Sequence, residues 1–507
     1  MTIRLFLLLI LKAFIIIAVI FYGGIGLGPD EAQYWTWSQS LDWGYYSKPP
    51  GIAWQIWVGT HLFGESEWGV RSVSVILGML QAFAMYRLAL CVNLSKRAAY
   101  WCALFMAFSP LGILGSFLAI TDGGFLLCWT AACLAVASPL HRGEKGSAFL
   151  IGVWIGIGAL FKWPIYLFWI FVVFCRRSIL PGQSLFSLAV GILISLLGLL
   201  PSVWWNVSHD WATFRHVFAT VQGGSGHRAS GNLLEFIGSQ ALLLSPILFV
   251  LLLLALFQWF KKRKEVSPAL YFCGIATSTS LMIVTLLSCF QKIQGNWITF
   301  AYPTALVILA WDVFKEHPKR AWWAKMGVVF SLLLTLVLFL LPLPYVYPKI
   351  NLYALPYRMN PFKHNMGWSA LIAGLEQSGY DPKKDFLFSD KYQTTSELSF
   401  YGPDRKRAYF LNLQGVRNNQ FSYWPGLEEE CSNKIGYFVW VENSPHLQRE
   451  LEKKKDFYET ELQKYFEKVE MVGLFPLLFE GEKMVKGGVI FRCEFCKERK
   501  VAGSSLF

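Results

Sequence analysis

The sequence predicts a multi-pass α-helical membrane protein with a soluble C-terminal α/β or α+β domain, and three observations carry that prediction. Of 507 residues, 54% are apolar and 16% charged, with a mean hydropathy of +0.41, whereas soluble chains are about half apolar and a quarter charged. Apolar runs long enough to cross a hydrocarbon layer of about 30 Å recur up to Pro344 and then stop. The charge divides at the same place, with 23 Lys and Arg against 12 Asp and Glu in 1–344, and 23 against 21 in 345–507. Of the net charge of +13, +11 therefore belongs to the apolar part, where basic loops orient helices. Nucleic acid is excluded as a partner, since no basic stripe carries interleaved base-stacking aromatics outside those loops. Cysteines such as Cys91, Cys102 and Cys128 are scattered through apolar runs, so a disulfide scaffold is excluded as well.

The runs lie at 5–22, 72–94, 98–118, 123–138, 148–161, 163–175, 185–205, 236–260, 267–289, 298–314 and 323–344, about eleven spans. The fifth and sixth are short, and Lys162-Trp163-Pro164 between them marks either a turn or a break in one bent helix. Every second loop is basic: Lys96-Arg97, Arg142 with Lys145, Arg176-Arg177, Lys261 to Lys264, and Lys315 with Lys319-Arg320. Those loops are expected to be cytoplasmic, with the N-terminus, and keeping the two short spans separate preserves the alternation. The first long loop, the Thr121-Asp122 junction, the 206–235 loop and the tail then face outward. The first span, with no small-residue cleavage site after it, reads as a retained anchor.

Two domains are expected, a membrane domain over 1–344 and an extracytoplasmic one over 345–507. In the second, β-like runs at 386–388, 436–441 and 488–491 alternate with a charged helical stretch from Pro445 to Val469.

The first outer loop holds the chemistry-bearing residues. Asp30-Glu31 is an acid pair at the membrane surface, followed by Tyr34, Trp35 and Trp37, aromatics suited to the interface. The pair serves either chemistry or a helix N-terminus, with Asp30 as N-cap and Gln33 closing the box. Lys48 stands before Pro49-Pro50, a cation on a stiff turn for a phosphate or for lipid headgroups. Asp122, opening the fourth span, is a second site carboxylate or that helix's cap. Lys162, at the end of apolar spans, is costly there unless it faces a polar cavity or snorkels. The 206–235 loop adds His209-Asp210 and the basic set Arg215, His216, His227 and Arg228, a substrate contact or a solvated face. No Asp-x-Asp, phosphate-loop or His-Glu-x-x-His motif appears. Cys493 and Cys496 form a lone C-x-x-C, read as a local disulfide or two ordinary thiols more readily than as zinc ligands. Asn206-Val207-Ser208 matches a glycosylation acceptor, a pattern too short to use.

Taken together these residues resemble the multi-pass GT-C glycosyltransferases, and within them the dolichyl-phosphate-mannose protein mannosyltransferase-like enzymes and the bacterial aminoarabinose transferases that act on lipid A. The resemblance is carried by Asp30-Glu31, Lys48-Pro49-Pro50, Thr121-Asp122 and Phe161-Lys162-Trp163-Pro164. It continues through Pro201 to Asn206 with His209-Asp210-Trp211, Gly295-Asn296-Trp297 with Tyr302-Pro303, and Asp390 to Gln393 with Glu397, Phe400 and Tyr401. It implies a sugar donor on a polyprenyl phosphate and an acceptor in lipid A or another part of lipopolysaccharide, at the outer face of the inner membrane. A protein Ser/Thr hydroxyl is the alternative acceptor. Carried over by position, Asp30 is the catalytic carboxylate with Asp122 beside it in that role. Lys48 contacts the donor phosphate, and Glu31, Tyr34, Lys162, Arg215 and His216 line the substrate side. No cofactor is required, and no metal ligand is assigned. Aminoarabinose transferases carry Glu-Lys-Pro where this chain has Ser47-Lys48-Pro49, and that glutamate is associated with metal, so a divalent ion stays open.

The residues suit such chemistry independently. An acceptor hydroxyl needs a base and a departing phosphate needs fixed cations, which a carboxylate and lysines provide. A transporter or flippase, the reading from another class, calls for two matching halves with ionisable groups at mid-membrane. Here Lys12 and Arg87 are the main such groups, and the halves do not match.

Overall fold

Seven helices among the described residues are long and apolar enough to cross a membrane, and nine spans result if each of two sharply bent pairs counts as one. The computed structural model describes residues 1–221, 231–347, 355–427, 434–443 and 447–497. The expected 98–118 span is the pair Lys96–Phe108 and Pro110–Phe117, bent by 57°, and the 236–260 span is Leu233–Leu244 and Pro246–Lys262, bent by 103°. In both pairs a proline opens the second helix, where its missing N–H costs nothing, and the preceding serine caps it. The remaining two of the eleven expected spans are helices of 12 and 13 residues, Ala148–Ala159 and Leu167–Ile179. At about 18–20 Å each, neither alone crosses the hydrocarbon.

Those two short helices form an antiparallel hairpin and not one bent rod. Gln183, just beyond the second helix, donates to the Gly146 carbonyl before the first at 2.7 Å, and Arg176 donates to Gln183 at 2.8 Å. At the other end, a Cβ on Gly158 would meet Ile165. The basic residues at 142–145 and 176–177 therefore share one end of the hairpin, and Lys162 lies at the other.

Packing divides the chain into two units, Met1–Ile17 with Asp42–Leu338, and Ala18–Leu41 with Phe339–Phe507. The composition change at Pro344 falls near the second junction. What composition did not reveal is that 18–41 packs with the C-terminal segment.

In the first unit, helix Tyr302–Trp311 carries no charge and is buried at every position, as a helix apolar on all sides must be. The hairpin packs against helix Leu185–Leu196 through glycines. A Cβ on Gly152 would sit 2.1 Å from the Gly191 carbonyl oxygen, one on Gly191 2.3 Å from that of Ala148, and one on Gly198 2.0 Å from that of Gly156. Small residues let backbones meet where lipid offers no hydrophobic drive. Gly152→Val is expected to force the helices apart at a cost of about 3 kcal/mol, seen as a lower melting temperature in detergent.

The second unit holds a five-stranded sheet in the order β2-β1-β3-β5-β4. The strands are β1 Phe386–Ser389, β2 Tyr409–Phe410, β3 Gly436–Asn443, β4 Phe466–Glu480 and β5 Lys483–Cys496. The first three are mutually parallel, joined from β1 to β2 through helix Tyr392–Tyr401, and β5 runs antiparallel to both β3 and β4. Alternation along the strands sends Phe386, Phe388, Phe438 and Trp440 to one core with Tyr458 of helix Leu447–Gln463. It sends Leu387, Tyr437 and Val439 to another core with Leu371 and Leu398. Both faces are thus covered by helices, the first of the two expected arrangements, α/β or α+β. The expected Pro445–Val469 helix ends early, at Gln463, because Phe466 opens β4; residues 444–446 lie outside the described residues. No disulfide joins Cys493 and Cys496, which leaves them, of the expected readings, two ordinary thiols. Phe495 between them takes φ +58°, which breaks the alternation of the strand, and both side chains pack against the core that holds Phe438 and Phe491.

Candidate active site

Within the first unit, the segment carrying Lys48 is braced from several directions. The Asp42 carboxylate accepts from Trp205 Nε1 at 3.0 Å, its carbonyl accepts from Trp54 Nε1 at 3.2 Å, and its N–H donates to Tyr45 Oη at 3.0 Å. Tyr45 is fully buried, its N–H donates to the Lys48 carbonyl at 3.1 Å, and its own carbonyl accepts from Thr213 Oγ1 at 2.9 Å. Pro50 then begins helix Gly51–Phe63, whose Gly51 N–H donates to the Leu160 carbonyl at 2.7 Å. Lys48 is half-buried at the end of this rigid loop.

His216, on helix Ala212–Val221, meets Tyr46 with ring centroids 4.8 Å apart and planes tilted by 48°. Burial, and then the Lys48 charge, hold its pKa below the ordinary imidazole value. Arg215 precedes it on the same helix and is exposed. His227 and Arg228 lie outside the described residues.

Asp122 begins helix Asp122–Arg142 and is 4% exposed. One of its oxygens accepts from Lys162 Nζ at 2.7 Å and the other from Thr299 Oγ1 at 2.9 Å. It is therefore not that helix's cap, which is Thr121, nor does Lys162 snorkel away from it. Phe161 links this pair to the Lys48 turn, since its ring would be struck by a Cβ on either Gly51 or Gly124. A half-buried lysine and a buried carboxylate-lysine pair thus share one end of the first unit.

Asn206, which the sequence offered at the end of the Pro201 to Asn206 motif and as a glycosylation acceptor, braces the Lys48 loop through Thr213. It is fully buried and donates to the Ser202 carbonyl at 2.7 Å and to Thr213 Oγ1 at 3.0 Å, while accepting from the Thr213 N–H at 2.9 Å. Between them Asp210 and Trp211 adopt φ of +53° and +58°, left-handed values that side chains hold only where the surroundings fix them. Thr299, 177 residues from Asp122, was also missed. Its only sequence signal was the neighbouring Gly295-Asn296-Trp297 motif.

In the second unit, helix Pro29–Ser38 carries Asp30, Glu31 and Tyr34. The N-cap is Gly28 and not Asp30, and the group that returns to it is Glu31 and not Gln33, through Oε2 at 3.1 Å from the Gly28 N–H. Glu31 is 2% exposed, and Tyr34 is buried with its ring 5.0 Å from Trp37. Asp30, one position after the N-terminal proline, is exposed. It lies near Tyr392, whose phenol is raised first by burial and then by the Asp30 charge. Among the described residues no group of three or more His, Cys, Asp or Glu is placed to hold a metal.

Comparison with known proteins bears on the same segment. Residues 47–205, which include Lys48, Asp122 and Lys162, match the dolichyl-phosphate-mannose-protein mannosyltransferase family. The chain is 27% identical over 296 residues to the lipid A galacturonosyltransferase RgtD of Rhizobium johnstonii, covering 57% of this chain and 61% of that protein. It is 29% identical over 194 residues to the undecaprenyl phosphate-alpha-4-amino-4-deoxy-L-arabinose arabinosyl transferase of Pseudomonas paraeruginosa, covering 34% and 35%. It thus spans less than two thirds of the length of either relative. ArnT from Cupriavidus metallidurans, solved bound to undecaprenyl phosphate, superposes with a TM-score of 0.62 at 16% identity, covering 96% of this chain and 97% of that one. The apo Archaeoglobus fulgidus oligosaccharyltransferase gives 0.50 at 14%, covering 90% and 71%. These likenesses establish the fold. Residues 47–205 match the dolichyl-phosphate-mannose-protein mannosyltransferase family, within a multi-span membrane chain that has the fold of Cupriavidus metallidurans ArnT.

Proposed function

We propose that this protein is an inverting glycosyltransferase. It moves a sugar from a polyprenyl-phosphate donor to a hydroxyl of lipid A or another part of lipopolysaccharide, at the outer face of the inner membrane. The observation that carries the reading is the braced Lys48 turn beside the buried Asp122–Lys162 pair, inside the matched segment 47–205. The similarity to a lipid A galacturonosyltransferase supports the acceptor class. The family's own description keeps transfer to a protein Ser/Thr hydroxyl as the second reading.

In the proposed step Asp30 takes the proton of the acceptor hydroxyl as its oxygen attacks the anomeric carbon. The bond from that carbon to the phosphate oxygen breaks on the opposite face, and the polyprenyl phosphate departs as an anion. Lys48 meets the charge that develops on it. Asp122, paired with Lys162, shapes the donor side with it, while Arg215 and His216 approach the same anion and Glu31 and Tyr34 support the acceptor side. The membrane part, 1–344, is inserted with its N-terminus in the cytoplasm, surrounded by membrane lipids, and 345–507 faces the periplasm.

Deleting the gene is expected to remove one sugar from the envelope glycolipids, read by mass spectrometry as the loss of a single hexose- or pentose-class increment from lipid A or core. Unchanged glycolipids alongside an altered protein glycan would favour the second reading. A reporter fused after Pro344 is expected to be active outside the cytoplasm, and one between Lys261 and Lys264 inactive.

A further inference from the structure

The C-terminal motif at Glu397 to Tyr401 has no part in the step above, yet helix Tyr392–Tyr401 packs along helix Pro29–Ser38. Phe400 meets Trp35 edge to face at 5.0 Å. The link leading into the Asp30 helix is gripped on both sides: the Leu27 N–H donates to Tyr401 Oη at 2.7 Å, and Asn365 Nδ2 donates to the Gly26 carbonyl at 3.0 Å. A Cβ on Gly26 would come within 2.5 Å of both Tyr401 Oη and the Asn365 carbonyl oxygen, so the clamp fits only glycine. Asp30 emerges four residues after Gly26, two positions after the Gly28 cap.

Resting on the proposed role of Asp30 as base, we infer that Tyr401 and Asn365 are positioning residues, through which the C-terminal domain sets where the Asp30 carboxylate stands. A base contributes fully only when its oxygen meets the acceptor proton in reacting geometry, and a displacement of an ångström costs one to two orders of magnitude in rate. The two bonds fix the backbone at the start of a helix whose second residue is the base. Losing either lets that N-terminus shift while the rest of the helix stays packed through Trp35.

The test uses the full chain in detergent with a polyprenyl-phosphate sugar. Tyr401→Phe keeps the ring and removes the acceptor of the Leu27 N–H, and Asn365→Ala removes the other bond. Each is expected to lower kcat by about 10-fold with donor KM within about twofold and a nearly unchanged melting temperature. Each is then combined with Asp30→Asn. With no base left to position, the second substitution is expected to cost nothing further on the residual turnover, because residues acting as a unit are not additive. A loss that persists undiminished in the Asp30→Asn background, a loss that falls on KM, or no loss in either single variant overturns the inference. Normal turnover by Asp30→Asn alone refutes the base assignment, a separate failure read from that variant by itself.

Discussion

Asp30→Asn is expected to leave the protein folded and to reduce transfer by about 100-fold or more. The substitution touches no cap, since Gly28 holds that place and Glu31 satisfies its N–H. The attraction of one carboxylate for the positive end of a helix is worth about 0.3–1 kcal/mol of stability. What the substitution removes from the reaction, if Asp30 is the base, is about 2.7 kcal/mol of the barrier lowering for a factor of 100. The two effects separate cleanly when melting temperature and turnover are measured on the same preparation. Wild-type turnover by the Asp30→Asn variant would make the carboxylate a surface group.

Lys48→Ala is expected to lower both kcat and donor affinity, because a cation facing the leaving phosphate binds it in the ground state and more strongly as its charge develops. Lys48→Arg should recover part of the activity, the charge being kept while the fork is larger and differently shaped. A lysine that only anchors headgroups behaves otherwise, and its replacement by Ala would scarcely alter turnover with a short-chain donor in detergent. An independent readout lies next to it. His216 is held below the ordinary imidazole pKa by burial and then by Lys48, so removing the lysine should let its pKa rise part of the way back, visible in a histidine NMR titration. A rise with unchanged turnover would place Lys48 near His216 and away from the reaction.

Much of the fold was legible because a bilayer imposes long apolar runs, and each expected run found its helices. The hairpin at 148–179 followed from the basic loops, which could not alternate if Arg176 and Arg177 changed sides. Asp122 and Lys162 stood out because charge at a span end needs a reason, and Lys48 because it precedes two prolines on a stiff turn. Thr299 did not, since it reaches Asp122 from 177 residues away, and the bracing role of Asn206 depends on its bonds to Thr213, which its own motif does not include. The cap of the Asp30 helix was misread although its signal was present. Pro29 prefers the first helical position, which makes Gly28 the cap. The packing of 18–41 with the C-terminal segment depends on contacts such as Trp35 with Phe400, which no local pattern announces.

The central claim is transfer from a polyprenyl phosphate with inversion. It is tested most directly by incubating the purified protein with an undecaprenyl-phosphate sugar of known anomeric configuration and a lipid A acceptor, then measuring released undecaprenyl phosphate and the anomeric configuration of the product. The account predicts one lipid phosphate released per sugar transferred, with the configuration inverted. Retained configuration, or transfer that proceeds from a nucleotide sugar without releasing lipid phosphate, would contradict it.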